Sequence, residues 1–311
     1  MGLVQIGISI LIALSIGALT RERRSLRMYL LLASSVLAVY WFQPALPLRW
    51  LDFWLPSLSL ALTVLTWLIT TPAGAWRLRP NLIGLSILVG LVTLIELSRY
   101  FLPEPVITAT TPPQFFQYFA FLLLSGLALS SFGWISRRHT WTISGVIVLL
   151  IAILIILKTP ALSLQASVLF RTLANRPVEN ASFTDLRWLG FSYIAFRLIH
   201  VLRDRQMGRL PELSLPEFGT YVVFFPALAA GPIDRAERFA QDLRKDFSLT
   251  QDETLLGGQR IFLGLFKKFV IADTLAIFAL NDALATQVRT TGWMWIVVYA
   301  YALQIYFDFS G

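Results

Sequence analysis

Phe224-Phe225-Pro226-Ala227-Leu228-Ala229-Ala230-Gly231-Pro232-Ile233-Asp234-Arg235-Ala236-Glu237-Arg238-Phe239 is the stretch around which the rest of the chain can be ordered. An apolar run meets a Gly-Pro break, and a charged, amphipathic segment follows at once. Proline suits the first helical turn and glycine is tolerated as the cap before it, so the break predicts a helix starting at Gly231-Pro232. Asp234 and Glu237 then fall in the first turns, where the helix dipole favours acids. Asp234 and Arg238 are four apart and can pair, and Phe239 and Leu243 can share an apolar face. Two readings stand side by side. One is an amphipathic helix lying in the membrane interface. The other is a segment whose Asp234, Arg235 and Arg238 help line a site for an anionic donor.

The surroundings of this stretch are those of a membrane protein. The chain has 311 residues, of which 56% are hydrophobic and 14% charged, and its mean hydropathy is +0.67. An average soluble domain carries about 25% charge, and one core could not hide this much apolar surface. The implied class is all-α: a polytopic bundle of transmembrane helices with interfacial or re-entrant helices. There is no cysteine, which excludes a disulfide framework, a thiolate zinc site and a cysteine nucleophile. Two histidines, His139 and His200, are too few for a multi-histidine metal site, so no metal is expected. The net charge of +8 raises nucleic acid as a partner, but the arginines cluster between hydrophobic runs, where orientation and lipid headgroups use them. The partner implied is the bilayer, not nucleic acid.

Apolar runs fall at about 2–19, 27–42, 53–70, 82–98, 115–135, 141–157 and 187–202, each near the length of a spanning helix, with the second and the last on the short side. Arg21, Arg23, Arg24 and Arg27 follow the first run, so it reads as a retained span; a cleaved signal has its charge before the apolar core. Positive charge then favours alternate loops: Arg77 and Arg79, Arg137 and Arg138, and Arg203, Arg205 and Arg209, against Arg49 alone in the second loop. This pattern predicts an outward N-terminus and a cytoplasmic 203–217 loop. The 158–186 loop, with Lys158, Arg171 and Arg176, fits least well, and its Leu162–Leu173 segment could be a short helix on the membrane face. Charges become denser after about Asp185. That divides the chain into a multi-span region, 1–186, and a region that mixes span and interfacial helix, 187–311.

Two further segments could carry chemistry. In Arg260–Asp273, the residues Arg260, Gly264, Lys267 and Lys268 share one face of an α-helix. Lysines inside so apolar a run either snorkel to headgroups or neutralise a phosphate or an acid such as Asp273 or Asp308. In Trp293–Gly311, Trp293 and Trp295 read as an interfacial belt, and Tyr301, Gln304 and Asp308 recur on one face. Asp308 is either a functional acid or a structural partner of Lys267 or Lys268, and both readings stay open. His200, at the end of a span, reads as a structural hydrogen-bonder and His139 as loop charge.

At these residues the chain resembles the membrane-bound O-acyltransferase superfamily. The branch it resembles is that of the alginate O-acetyltransferase membrane subunit, with the teichoic-acid D-alanylation membrane protein as a cousin. Three blocks in order carry the resemblance: Phe225-Pro226 through Gly231-Pro232-Ile233-Asp234-Arg235 to Phe239; Gly264 to Asp273; and Tyr301 to Gly311. It covers about 187–311, and the earlier residues match only as a set of spans. The resemblance implies transfer of an acyl group, often acetyl, from a thioester such as acetyl-CoA to a polysaccharide hydroxyl outside the cytoplasm. It implies an inner-membrane location and, more weakly, an extracytoplasmic partner protein. Gly231, Pro232, Asp234, Arg235, Arg238, Lys267, Lys268, Asp273, Gln304 and Asp308 become the candidate core and donor-site residues. The family's intramembrane histidine base would lie beyond Gly311, so this chain is expected to be a C-terminally truncated, incomplete core with no catalytic residue of its own. Two other functions fit the same features: a transporter or flippase-like carrier using Lys267, Lys268 and Asp308, and an inactive fragment.

Overall fold

The computed structural model describes residues 3–20, 23–72, 74–136, 141–228, 231–245 and 250–311. His139, Arg137, Arg138 and Arg21 lie outside the described residues. Every regular element among those described is helical, as the composition predicts. The described residues fall into two compact units, Met1–Phe247 and Ser248–Gly311.

The first unit holds α1 (Leu3–Leu19), α2 (Arg24–Trp41), α3 (Leu51–Thr70), α4 (Arg79–Phe101), α5 (Phe115–Ser136), α6 (Trp141–Lys158), α7 (Pro160–Leu173), α8 (Phe191–Gln206), α9 (Leu215–Val223) and α10 (Ala236–Arg244). Four of these are long and apolar enough to cross a membrane: α3, α4, α5 over Phe115–Gly133, and α6. α1 is a shorter apolar helix. Among the described residues, 67% of the spanning window of α3 is buried against 6% of that of α5, so α3 is an inner helix and α5 lies on the surface of this unit. The inner face of α3 carries Ser57, Ser59, Thr63 and Thr70, whose hydroxyls donate to carbonyls four residues earlier at 2.7–3.1 Å. Polar side chains are thereby satisfied without water, and their small size admits close neighbours. Trp188 Nε1 donates to Ser59 Oγ at 2.9 Å, and Trp67 Nε1 donates to the Leu213 carbonyl at 3.0 Å.

The centre of this unit is α9. All nine of its residues are buried, and α2, α3, α4, α8 and α10 pack against it. Nine residues rise only about 14 Å at 1.5 Å each, under half the thickness of a bilayer core, so α9 is an inserted helix and not a span. A capping box starts it: Ser214 N–H and Oγ–H both donate to Glu217 Oε2 at 2.9 Å. Arg244 of α10 then grips the same carboxylate, with Nε on Oε1 at 2.7 Å and Nη2 on Oε2 at 2.9 Å. Burial pushes the Glu217 carboxyl up, but Arg244 and Ser214 outweigh it and hold it below the ordinary glutamate range. A depressed carboxyl stabilises the fold above the unfolded glutamate value, about pH 4.3, and that contribution is lost as pH falls below it. Glu217→Gln should therefore lower the denaturation midpoint at neutral pH and flatten the loss of stability on acidification. An acid profile with the wild-type slope would contradict the assignment.

The 158–186 segment is tied down in the same way. α7 follows α6 after Thr159 alone and begins two residues before the predicted Leu162. Arg171 Nε and Ser167 Oγ donate to Asp185 Oδ2 at 2.7 and 2.6 Å, and all three residues are buried.

The second unit holds α11 (Gln251–Leu265), a π-helical segment (Phe266–Ala272), α12 (Asp273–Phe278), α13 (Asp282–Gln287) and α14 (Thr291–Ser310). Thr250 and Glu253 form a capping box at the start of α11. α14 packs along both the π segment and α12.

Candidate functional site

The 224–239 junction begins where α9 runs out of helical partners. Arg197 of α8 supplies them. It is 2% exposed, and its Nη1 and Nη2 donate to the carbonyls of Val222 and Ala227, each at 2.9 Å. The Val222 carbonyl lies in the last turn of α9, where the helix dipole also favours a cation, and the Ala227 carbonyl closes the 3-10 turn Phe225–Ala227 that follows. Phe225 N–H donates to Ser35 Oγ at 3.3 Å. Gly190, at φ 71°, starts α8 against the same turn. A Cβ there would stand 2.9 Å from the Leu228 carbonyl oxygen, so the backbone angle and the close approach both require glycine. A Cβ on Gly231 would collide with Ala227.

The helix predicted from Gly231-Pro232 begins later, at Ala236. Tyr221 Oη–H donates to the Asp234 carbonyl at 2.9 Å and Arg235 N–H donates to Asp234 Oδ1 at 2.8 Å, which keeps 232–235 out of the helix. The first helical bond is Phe239 N–H to the Arg235 carbonyl, at 3.0 Å. Phe239 packs its ring on Tyr221 and Phe224, with centroids 5.5 and 5.2 Å apart. Asp234 and Arg238 do meet, but at 3.9 Å with 40% and 76% of their side chains exposed. Such a pair is worth little. Arg235 is exposed as well.

In the second unit the structure brings Lys268, Asp273 and Asp308 together. Lys268 Nζ lies 3.7 Å from Asp273 Oδ1 and makes a short ion pair with Asp308 Oδ1. The shared α-helical face expected for Arg260, Gly264, Lys267 and Lys268 does not persist, because 266–272 is wound as a π-helix. In an α-helix, positions five apart point about 140° away from each other; a π turn closes i to i+5 and makes them neighbours. That winding is what lets Lys268 reach Asp273. Lys267 makes no ion pair among the described residues, so the choice between the two lysines falls on Lys268. Gln304 lies one turn before Asp308 on α14, half-buried.

Two glycines set this approach. A Cβ on Gly264 would stand 2.7 Å from the Gly311 carbonyl oxygen, and one on Gly311 would stand 2.7 Å from the Gly264 carbonyl oxygen. Gly257 and Gly258, also in α11, have open space around them. Gly264→Val is expected to destabilise the protein by about 1–3 kcal/mol through overpacking. Gly258→Ala should be neutral or stabilising by up to about 1 kcal/mol, as glycine in a helix interior is the poorer residue. Denaturation midpoints of the two variants in one detergent check the contrast, and equal midpoints would contradict it.

The set from Gly231 to Arg238 belongs to the first unit and the Lys268 set to the second. His200 lies on α8 with its Nδ1 buried and unpartnered among the described residues. Arg197 and Gly190 were not among the residues singled out from sequence. The signal for Arg197 was present, since an arginine inside the apolar run Phe196–Ile199 is costly at membrane depth unless it is used.

The chain is similar to proteins of known name over about two fifths of its length. It is 40% identical over 124 residues to "Probable alginate O-acetylase AlgI" of Pseudomonas syringae pv. tomato, covering 40% of this chain and 24% of that protein. It is 39% identical over 127 residues to the protein of the same name from Pseudomonas aeruginosa, covering 40% and 24%. It is 32% identical over 130 residues to "Teichoic acid D-alanyltransferase" of Bacillus subtilis, covering 40% and 33%. The chain thus spans about a quarter to a third of the length of these relatives. No family model matches the chain, and no solved structure matches it.

Proposed function

We propose that the chain is part of a membrane-bound O-acyltransferase system that moves an acyl group from a thioester donor onto a hydroxyl of a polysaccharide or related polymer outside the cytoplasm. One observation carries this reading. Two groups of relatives, named for O-acetylation of alginate and for D-alanylation of teichoic acid, each match about two fifths of the chain at 32–40% identity. Their names differ in acyl group and in acceptor and agree on acyl transfer to a polymer, so the agreed part is what carries over. Acetyl-CoA or another acyl thioester is the donor in this reading, the inner membrane the location, and an extracytoplasmic protein a partner.

Within it, Lys268 serves as a positioning residue. Its ammonium, held between Asp273 and Asp308, lets the chain keep polar groups in an apolar run without a lone charge. It also fastens the π segment to α14 at the Gly264–Gly311 approach. Arg197 fixes the end of α9 and so the path of the 224–239 junction. Neither touches a reacting atom in this scheme, and no residue among 1–311 is assigned as the base that takes the proton of the acceptor hydroxyl.

The test is the ester-linked acyl content of surface polysaccharide, released by mild base, in a strain lacking the gene and in one complemented with its full reading frame. Complementation should restore the esters. Unchanged acyl content in both strains removes the acyltransferase reading. Altered export of an unmodified polymer would favour a carrier in its place.

A further inference from the structure

Glu96 lies in α4, five residues from its end, at 0% exposure. Neither of its carboxylate oxygens has a hydrogen-bond partner among the described residues. Several polar groups of the surrounding helices are used elsewhere, while Thr220 Oγ1 of α9 and Thr66 Oγ1 of α3 are, like the Glu96 oxygens, without a partner among the described residues. Thr93 Oγ1 donates to the Val89 carbonyl at 2.7 Å and is joined to Tyr118 Oη of α5 at 2.7 Å. Arg99, on the same helix, donates to the Pro112 carbonyl at 2.6 Å. On α2, Tyr40 Oη is joined to Ser57 Oγ at 2.8 Å. On α3, Asp52 accepts from the amide and hydroxyl of Thr110 at 2.8 Å. On α9, Glu217 is held by Arg244 and Ser214. Tyr118 and Arg99 are the titratable groups close enough to act on Glu96, and neither makes an ion pair or hydrogen bond with it.

An ionised carboxylate so placed, with no ion pair and no hydrogen-bond donor among the described residues, carries a large desolvation cost. A carboxyl in that position takes a proton instead, and an intramembrane acid marks a functional position by default. We propose that Glu96 is a proton-binding site inside the first unit, carried at neutral pH as the uncharged acid. It does not depend on the acyltransferase reading. Its ligand is a proton, and its distinguishing chemistry is that of a carboxylic acid in lipid, which adds to a hydrophobic carbodiimide. The acid proton goes to a carbodiimide nitrogen and the carboxyl oxygen bonds the central carbon. Migration of the acyl group to nitrogen then leaves a stable N-acylurea, with no atom lost.

Infrared spectra of the wild-type chain and Glu96→Gln in lipid at neutral pH test the proposal. Glutamine keeps the shape and the lack of charge, so the variant should fold with an unchanged thermal midpoint. The wild-type-minus-variant spectrum should contain the carbonyl band of a protonated carboxylic acid and no carboxylate pair. A carboxylate pair in that difference, or a midpoint that falls in the variant, overturns it. A second measurement needs only the wild-type protein. Dicyclohexylcarbodiimide should label the peptide containing Glu96 while a water-soluble carbodiimide does not. Labelling by the water-soluble reagent alone, or by neither, overturns the proposal.

Discussion

Arg197→Ala is expected to cost about 3 kcal/mol or more, enough to deplete the folded protein from the membrane. The estimate rests on what the guanidinium leaves behind. The Val222 and Ala227 carbonyls each accept from it at 2.9 Å, both residues are buried, and the residue four on from Val222 is Pro226, which has no N–H to offer. A buried polar group stripped of its partner costs about 1–3 kcal/mol, and water cannot replace the partner inside a bilayer. The emptied volume adds a cavity term. Against the roughly 5–15 kcal/mol that holds a typical protein folded, that loss is large. Arg197→Lys should recover only part of it, because a single ammonium cannot reproduce the planar two-nitrogen grip. Denaturation midpoints in detergent, with the amount of protein recovered from membranes, measure the effect. A midpoint for Arg197→Ala within experimental error of wild type would show that the junction does not depend on this residue.

Loss of transfer activity by at least tenfold is expected for Lys268→Met and for Asp308→Asn in the full reading frame, with Arg49→Ala close to wild type. Lys268→Met leaves Asp308 without its counter-charge and Asp308→Asn leaves Lys268 with only the longer contact to Asp273, and each loosens the contact between the π segment and α14. Charge-assisted hydrogen bonds are worth about 1.5–3 kcal/mol, and the partial exposure of both side chains, 39% and 43%, places this pair at the lower end. The double variant is the informative one. If the two groups act through each other, removing both costs less than the sum of the single losses. Asp273 remains beside Lys268 in the Asp308→Asn variant, so Asp273→Asn in that background should add a further loss while Lys268 is present. Strict additivity of Lys268→Met and Asp308→Asn would mean that the ion pair plays no part in positioning.

Much of the membrane architecture was legible in the sequence, since long apolar runs bounded by arginine-bearing loops have few alternatives. α1 through α6 and α8 each overlap one of the seven predicted runs, but only α3, α4, α5 and α6 among the described residues are long and apolar enough to cross a membrane, so the runs at α1, α2 and α8 are helices without meeting the length and hydropathy of a span. What was not legible depends on neighbours distant in sequence. α9 is only nine residues long and is buried on all sides, which no periodicity within so short a segment can signal. The delayed start of α10 follows from Tyr221 reaching the Asp234 carbonyl, a contact that overrides the local fitness of a Gly-Pro start. The pairing of Lys268 with Asp273 needed a π turn, and five-residue spacing argues against contact under the ordinary helical period. Glu96 sits in an apolar run between Ile95 and Leu97, and only the packing shows that both of its oxygens are without a donor.

The most direct measurement follows a labelled acyl group. Membranes carrying the full reading frame, with its cognate polysaccharide, are given acetyl thioester labelled in the acetyl group. Label is expected in base-labile ester linkage on the polymer, at wild-type level with Arg49→Ala and at least tenfold lower with Lys268→Met or Asp308→Asn. Label that never enters the polymer, with the wild-type protein present and folded, would contradict acyl transfer as the function.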